Sequence, residues 1–258
     1  MQLKSTGLKA KLVAETPYLW RARRPDARHR LICFPHAGGG AGVFAEWATL
    51  LPAEIELAAV QLPGRQNRIA EEAATEAGPL VEAVAAELLP VMDGPVAFFG
   101  HSCGAMLAFE VARFLHAAGG PEPVHLFLSA QPSPEAFRER PKLHELSHED
   151  FRAEMVNLGG IDEEIVEDVE ILDALLPAVR ADFAVWERHR VAPVPRLDVP
   201  FSVLAGRTDV RTPLDSLDGW RAYTSARFDT RLHPGGHFYF LDASADVLAS
   251  IGRTLLAS

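Results

Sequence analysis

The run Val96-Ala97-Phe98-Phe99-Gly100-His101-Ser102-Cys103-Gly104-Ala105 decides the fold. Four continuously apolar residues lead into G-x-S-x-G, and a helical pattern over Ala105–Ala118 follows. A serine in that context sits on a tight strand-to-helix turn, its side chain projecting from the sheet edge. Small residues on either side, Gly100 and Gly104, let neighbouring chain approach closely. The helix that follows aims its first N–H groups at any negative charge developing there. The pattern alone also occurs by chance at ordinary strand–helix turns, so the surrounding chain has to support it.

Outward from this segment, short apolar runs alternate with helical patterns. Leu31–Phe34, Ile55–Leu62, Val124–Ser129, Phe201–Ala205 and Ala226–Leu232 read as further strands. Val43–Leu51, Pro79–Met92, Leu214–Tyr223 and Asp246–Leu256 read as helices between them. Continuously apolar strands separated by helices predict an α/β fold, with a mostly parallel sheet covered on both faces. Between about Pro132 and Pro200 the alternation stops. Ser147-His148-Glu149-Asp150 looks like a capping box opening a helix to Leu158, and a second helical stretch over Glu164–His189 is expected to break near Pro177. This region reads as a helical lid inserted over one end of a single domain spanning residues 1–258.

Composition narrows the functional classes. The 258 residues carry 25 Lys plus Arg against 35 Asp plus Glu, and a formal charge of −10 is the opposite of a nucleic-acid binder's footprint. Met1–Pro17 is interrupted by lysines and is no signal peptide, and no stretch approaches the roughly eighteen uncharged apolar residues of a membrane span. Two cysteines, Cys33 and Cys103, form no disulfide framework. A soluble cytoplasmic protein without membrane or nucleic-acid partners is the expectation.

A nucleophilic serine needs a base, and the base an orienting acid, in the chain order Ser, acid, His for this architecture. Asp209 follows the strand Phe201–Ala205, and His237 follows Ala226–Leu232 across Pro234-Gly235-Gly236. Both lie just past strand ends, on the edge where Ser102 emerges. Asp198, Asp215, Asp218 and Asp229 are reserve acids, and His101 is a poorer base because its backbone position turns it away from its neighbour. The end of Val124–Ser129 offers Ser129-Ala130-Gln131 and no carboxylate. Two backbone N–H groups must hold the oxyanion. Cys103 supplies one, and Ala37, in Phe34-Pro35-His36-Ala37-Gly38-Gly39-Gly40, is the candidate for the other.

Three patterns compete and lose. Gly40-Ala41-Gly42-Val43-Phe44-Ala45 fits a dinucleotide fingerprint, but the glycines start too late after the strand and no ribose-binding acid ends Ile55–Leu62. A phosphate loop fails because no Lys-Ser or Lys-Thr follows. His144-Glu145-Leu146-Ser147-His148 matches H-E-x-x-H, yet Ser147 caps a helix beginning at His148 and leaves His144 outside it, so no zinc site is expected. Cys103, beside the serine, reads as a packing residue contributing only its N–H.

These residues resemble the stand-alone (type II) thioesterases of polyketide and nonribosomal peptide pathways, within the α/β-hydrolase superfamily. The resemblance spans nearly the whole chain. It rests on Phe34-Pro35-His36-Ala37-Gly38-Gly39, Gln61-Leu62-Pro63-Gly64-Arg65, Gly100-His101-Ser102-Cys103-Gly104-Ala105 and Gly235-Gly236-His237-Phe238. It implies a catalytic triad of Ser102, Asp209 and His237, with Ala37 and Cys103 as oxyanion donors. Members often have methionine where this chain has Cys103. Related domains fused to synthases often carry the acid after the earlier strand, and its absence here favours the discrete type. The implied activity is hydrolysis of acyl groups from the phosphopantetheine arm of acyl or peptidyl carrier proteins, by a monomer that needs no metal or cofactor of its own. General carboxylesterase, acyltransferase and non-catalytic carrier binder are the alternatives. Carrier proteins are generally acidic, so local basic groups should receive them: Arg65 and Arg68, or Arg21, Arg23 and Arg24, with His36 a further candidate contact.

Overall fold

A computed structural model describes residues 11–161, 163–191 and 195–257. The first ten residues of the Met1–Pro17 segment and positions 162 and 192–194 of the insertion lie outside them. Eight strands form one sheet: β1 Val13–Ala14, β2 Leu19–Ala22, β3 His29–Phe34, β4 Ile55–Val60, β5 Val96–His101, β6 His125–Ser129, β7 Phe201–Gly206 and β8 Phe228–His233, in the order β1-β2-β4-β3-β5-β6-β7-β8. From β4 to β8 all neighbours are parallel, while β1 and β2 add an antiparallel edge. The α/β class and the mostly parallel sheet follow the expectation, and the antiparallel edge is new.

Side chains alternate between faces with the period of two that a strand imposes. Ile32, Phe34, Phe98, Leu128 and Val203 pack under helices Ala77–Leu88 and Cys103–Ala117. Leu31, Cys33, Phe99, Phe127 and Leu204 join Phe44, Trp47, Phe240 and Ile251 on the other face. Each fully buried aromatic or aliphatic side chain contributes about 1.5–3 kcal/mol. Both faces are therefore dry, as the unbroken apolar runs require.

Register brings the carboxyl ends of the strands into line. Phe34 pairs with Gly100, His101 with Ser129, Ser129 with Leu204, and Gly206 with His233. The loops carrying Ala37, Ser102, Asp209 and His237 all leave from that one edge.

The insertion contains helices Pro134–Arg138, His148–Leu158, Glu163–Glu167 and Val169–Arg188. Ser147 caps the second of these, accepting from the Asp150 N–H at 3.1 Å. Pro177 does not break the long helix, which runs through it. The proline faces solvent, so water can satisfy the carbonyl it leaves without a partner. Leu214–Tyr223, expected as a helix, forms two short 3-10 segments, Leu214–Ser216 and Asp218–Tyr223, with Trp220 buried and bonded to the Gln131 carbonyl. No described helix is long and apolar enough to cross a membrane.

Candidate active site

Ser102 sits between β5 and its helix at φ 54, ψ −125. A side-chain-bearing residue there costs about 1–3 kcal/mol. The turn is held by Ser102 N–H to the Ser129 carbonyl and by Ala105 N–H to the Ser102 carbonyl, both 2.8 Å. The flanking glycines are required by contact: a Cβ on Gly100 would land on the Gly104 carbonyl, and one on Gly104 would land on the Phe34 and Pro35 carbonyls. These close approaches fix the serine against the loop after β3.

Asp209 and His237 are brought together by two loops stitched through their backbones. Arg207 N–H donates to the His233 carbonyl and Thr208 N–H to the Gly235 carbonyl. His237 Nδ1 then lies 2.8 Å from Asp209 Oδ2, while Asp209 Oδ1 accepts the Arg211 N–H at 2.8 Å. Burial pushes the Asp209 carboxyl up, but the His237 and Arg211 hydrogen bonds outweigh it and leave its pKa lowered. With Nδ1 engaged, Nε2 is the ring nitrogen left to meet a hydroxyl. Ser102 and His237 line one cavity of about 50 Å³, together with His36, Ala37, Met155, Leu158 and Phe183.

Ala37 sits between two restrained peptide groups. The His36 carbonyl accepts Gly39 N–H at 2.9 Å, and Gly38 N–H donates to Asp182 Oδ2 at 2.8 Å. Among the described residues the Ala37 N–H has no hydrogen-bond partner. The Cys103 N–H opens a helix and has no intrahelical acceptor. Two unspent donors therefore flank the serine.

The thioesterase-domain family model matches residues 29–255. The chain belongs to the thioesterase family. "Thioesterase PikA5" of Streptomyces venezuelae is 38% identical over 244 residues, covering 93% of this chain and 86% of that one. The solved RedJ thioesterase from the prodiginine pathway of Streptomyces coelicolor superposes with a TM-score of 0.83 at 37% identity, over 90% and 87% of the two chains. The type II thioesterase BorB of the borrelidin cluster gives 0.81 at 33% identity, over 94% and 98%. The protein is a thioester hydrolase on the α/β-hydrolase fold, and its relatives are type II thioesterases of such biosynthetic pathways.

The arginines expected to dock a carrier to this thioesterase are placed elsewhere. Arg65 is 3% exposed; it forms an ion pair with Asp182 and donates to the Pro63 carbonyl. Arg68 is 7% exposed, stacked 4.1 Å from the Tyr18 ring and paired with Glu71. Both are structural because interior carbonyls accept from each, with the buried Asp182 carboxylate also pairing Arg65, which a sequence does not reveal. Arg21 is held by Glu15 and Glu56, and Arg24 by the Ala48, Leu51 and Ile55 carbonyls, at the opposite end of the strands. Of that set only Arg23 is well exposed, and it lies at the same distant end.

His36 is half-buried in the cavity wall, with its Nδ1 enclosed and without a partner among the described residues. Burial, with His237 and Arg65 nearby, pushes its pKa down to about 3, so it is neutral. His101, which is buried, points away from Ser102 to Ser129 Oγ at 2.9 Å, which in turn meets the Tyr239 hydroxyl at 2.6 Å. That hydroxyl chain lies at the end of β6, where the sequence offers no carboxylate. Of the reserve acids, Asp229 is taken by Arg231 and Ser202. Burial raises the Cys103 thiol well above its ordinary range, so it stays protonated.

The H-E-x-x-H segment holds no metal cluster among the described residues. His144 lies in a 3-10 turn and bonds Glu187 at 2.5 Å, while His148 meets Asp173. Asp182 is the residue that sequence reasoning missed. Its signal was there: a carboxylate on the otherwise apolar stripe of Leu172, Leu176, Val179, Phe183 and Trp186 has to be paired.

Proposed function

We propose that this thioesterase hydrolyses acyl groups from the phosphopantetheine arm of acyl or peptidyl carrier proteins, clearing misprimed or stalled units from a polyketide or nonribosomal peptide synthase. The observation that carries the reading is His237, bonded through Nδ1 to a buried Asp209 and sharing a cavity with a strained Ser102. In the reaction His237 Nε2 takes the Ser102 proton as Oγ bonds to the thioester carbon. The resulting oxyanion rests on the Ala37 and Cys103 N–H groups. The C–S bond then breaks, and the imidazolium returns its proton to the departing thiolate. A water deprotonated by His237 attacks the acyl-serine, and the acid leaves with Ser102 reprotonated. Every proton has a carrier in this scheme, so it calls for no metal or redox group. The phosphopantetheine belongs to the substrate.

All of these groups come from one chain, which supports action as a monomer, and the pathway is a cytoplasmic one. His36 offers a neutral ring nitrogen for a polar atom of the substrate. The cavity is far smaller than the roughly 300–1,000 Å³ of ordinary ligand sites. A longer acyl chain therefore needs the stretch Leu158-Gly159-Gly160-Ile161 to move, and this part of the insertion acts as the lid. Acyl-carrier thioesters, assayed by mass spectrometry beside a nitrophenyl ester, test the reading. Wild type should favour the carrier-bound thioester, and Ser102→Ala should turn over neither. Equal preference for the simple ester indicates a general carboxylesterase, transfer to an added alcohol or amine indicates an acyltransferase, and a wild type that only binds the carrier is a non-catalytic partner.

A further inference from the structure

The buried pair Arg65–Asp182 joins two segments that the chemistry needs in register. Arg65 follows β4 in Gln61-Leu62-Pro63-Gly64-Arg65, and Asp182 lies on the long insertion helix Val169–Arg188, 117 positions later. Arg65 Nη1 and Nη2 both engage the Asp182 carboxylate, whose Oδ2 also accepts the Gly38 N–H. One turn earlier on the same helix face, Val179 abuts Gly38: a Cβ there would sit 2.5 Å from Val179 Cγ2. Gly38 holds φ +75, which a side chain would strain. Gln61 completes the brace, its Oε1 accepting Ala41 N–H at 2.8 Å and its Nε2 donating to the Arg65 carbonyl at 3.2 Å.

The consequence concerns a residue none of them touches through its own N–H. The peptide before Ala37 is fixed by its carbonyl, and the peptide after it is fixed by Asp182. The Ala37 N–H is then aimed by its neighbours with no bond of its own. We propose that Arg65 and Asp182 are positioning residues for the oxyanion hole, setting the direction of the Ala37 N–H through the Gly38 peptide and making the insertion helix a structural part of that loop. This rests on the acyl-serine reading given above. It also divides the insertion: the helix bearing Asp182 stays docked during turnover, and acyl groups are admitted on the Met155–Ile161 side.

Asp182→Ala alone strands a buried guanidinium and can unfold the chain, so the decisive variant is the double Arg65→Met/Asp182→Leu. Apolar replacement of a buried ion pair commonly preserves the fold. The readouts are thermal unfolding, kcat and KM on an acyl-pantetheine thioester per active site titrated with a fluorophosphonate, and affinity for an alkyl boronate, whose tetrahedral adduct places an oxygen in the hole. The expected result is a cooperative melt, KM within about threefold, and kcat and boronate affinity both lower by about 100-fold. Asp182→Asn keeps an acceptor for Gly38 and should lose about tenfold less than the double variant. A double variant with kcat and boronate affinity within about threefold of wild type overturns the proposal, as does Asp182→Asn losing as much as the double variant. Thioester turnover surviving Ser102→Ala would instead defeat the acyl-serine reading, so the two failures are distinguishable.

Discussion

At the amino-terminal end of the strands, Glu56 gathers Arg21, Arg30 and the Arg24 N–H; at the carboxyl end, Asp182 gathers Arg65 and the Gly38 N–H. The two clusters use the same chemistry, a carboxylate saturated by guanidinium and backbone donors. They differ in what they connect. The first ties β2, β3 and β4 to one another within a span of 35 positions and keeps partial contact with water. The second is drier and clamps an inserted helix onto the loop beside Ser102. A buried ion pair is thus no guide to function by itself; what it orients decides.

The largest expected effect lies at the carboxyl end. Ser102→Ala should lower kcat by about 10⁴-fold or more, measured on an acyl-carrier thioester, while leaving thermal stability nearly unchanged because the strained φ of 54 remains and only a hydroxyl is lost. Glu56→Gln breaks the other cluster. It should cost about 3 kcal/mol in denaturant unfolding, since two partly buried guanidinium groups lose their shared counter-charge, yet leave kcat per titrated site unchanged. If Glu56→Gln lowered kcat as much as the Arg65/Asp182 double variant does, the contrast between the two ends would fail.

Much of the catalytic edge was legible because it is written in local chain. Leu31–Phe34 and Val96–Phe99 are apolar at every position and Phe201–Ala205 at all but Ser202, as strands buried on both faces must be. Ser102, Asp209 and His237 could be placed by counting from strand ends. The antiparallel strand Leu-Trp-Arg-Ala at 19–22 was hidden, being four residues long and interrupted by Arg21. Arg65 and Arg68 were misread as surface groups because guanidinium burial depends on acceptors remote in sequence, Asp182 for one and the Pro17 and Gln61 carbonyls for the other. Trp220 explains the missed 3-10 turns: its indole is fixed to the Gln131 carbonyl, and tertiary contact there overrides helical periodicity.

Acid sensitivity should be shared by both ends. Burial lowers His36 to about 3 and His125 to about 4, so both are neutral when folded. In the unfolded chain each takes up a proton near pH 6.5, so the unfolded state binds more protons and stability falls as pH drops from there toward 4. Each group contributes up to about 1.4 kcal/mol per pH unit. His125→Phe, at the non-catalytic end, should flatten the stability profile by that amount between pH 6 and 4.5 and leave kcat untouched. An unchanged slope would mean that His125 is not held neutral. The smallest effect is expected for Arg23→Glu, which should alter carrier-thioester turnover less than about twofold, because that exposed side chain lies far from the strand ends bearing Ser102. A large rise in KM would place the carrier on the wrong end of the sheet for this account.

The most direct measurement is rapid quenching of the wild-type enzyme with an acyl-carrier thioester, followed by peptide mapping in the mass spectrometer. The account predicts a transient acyl ester on Ser102 that forms and decays at rates consistent with turnover. An acyl group found on another residue, or steady turnover with no ester on Ser102 at any time, would contradict it.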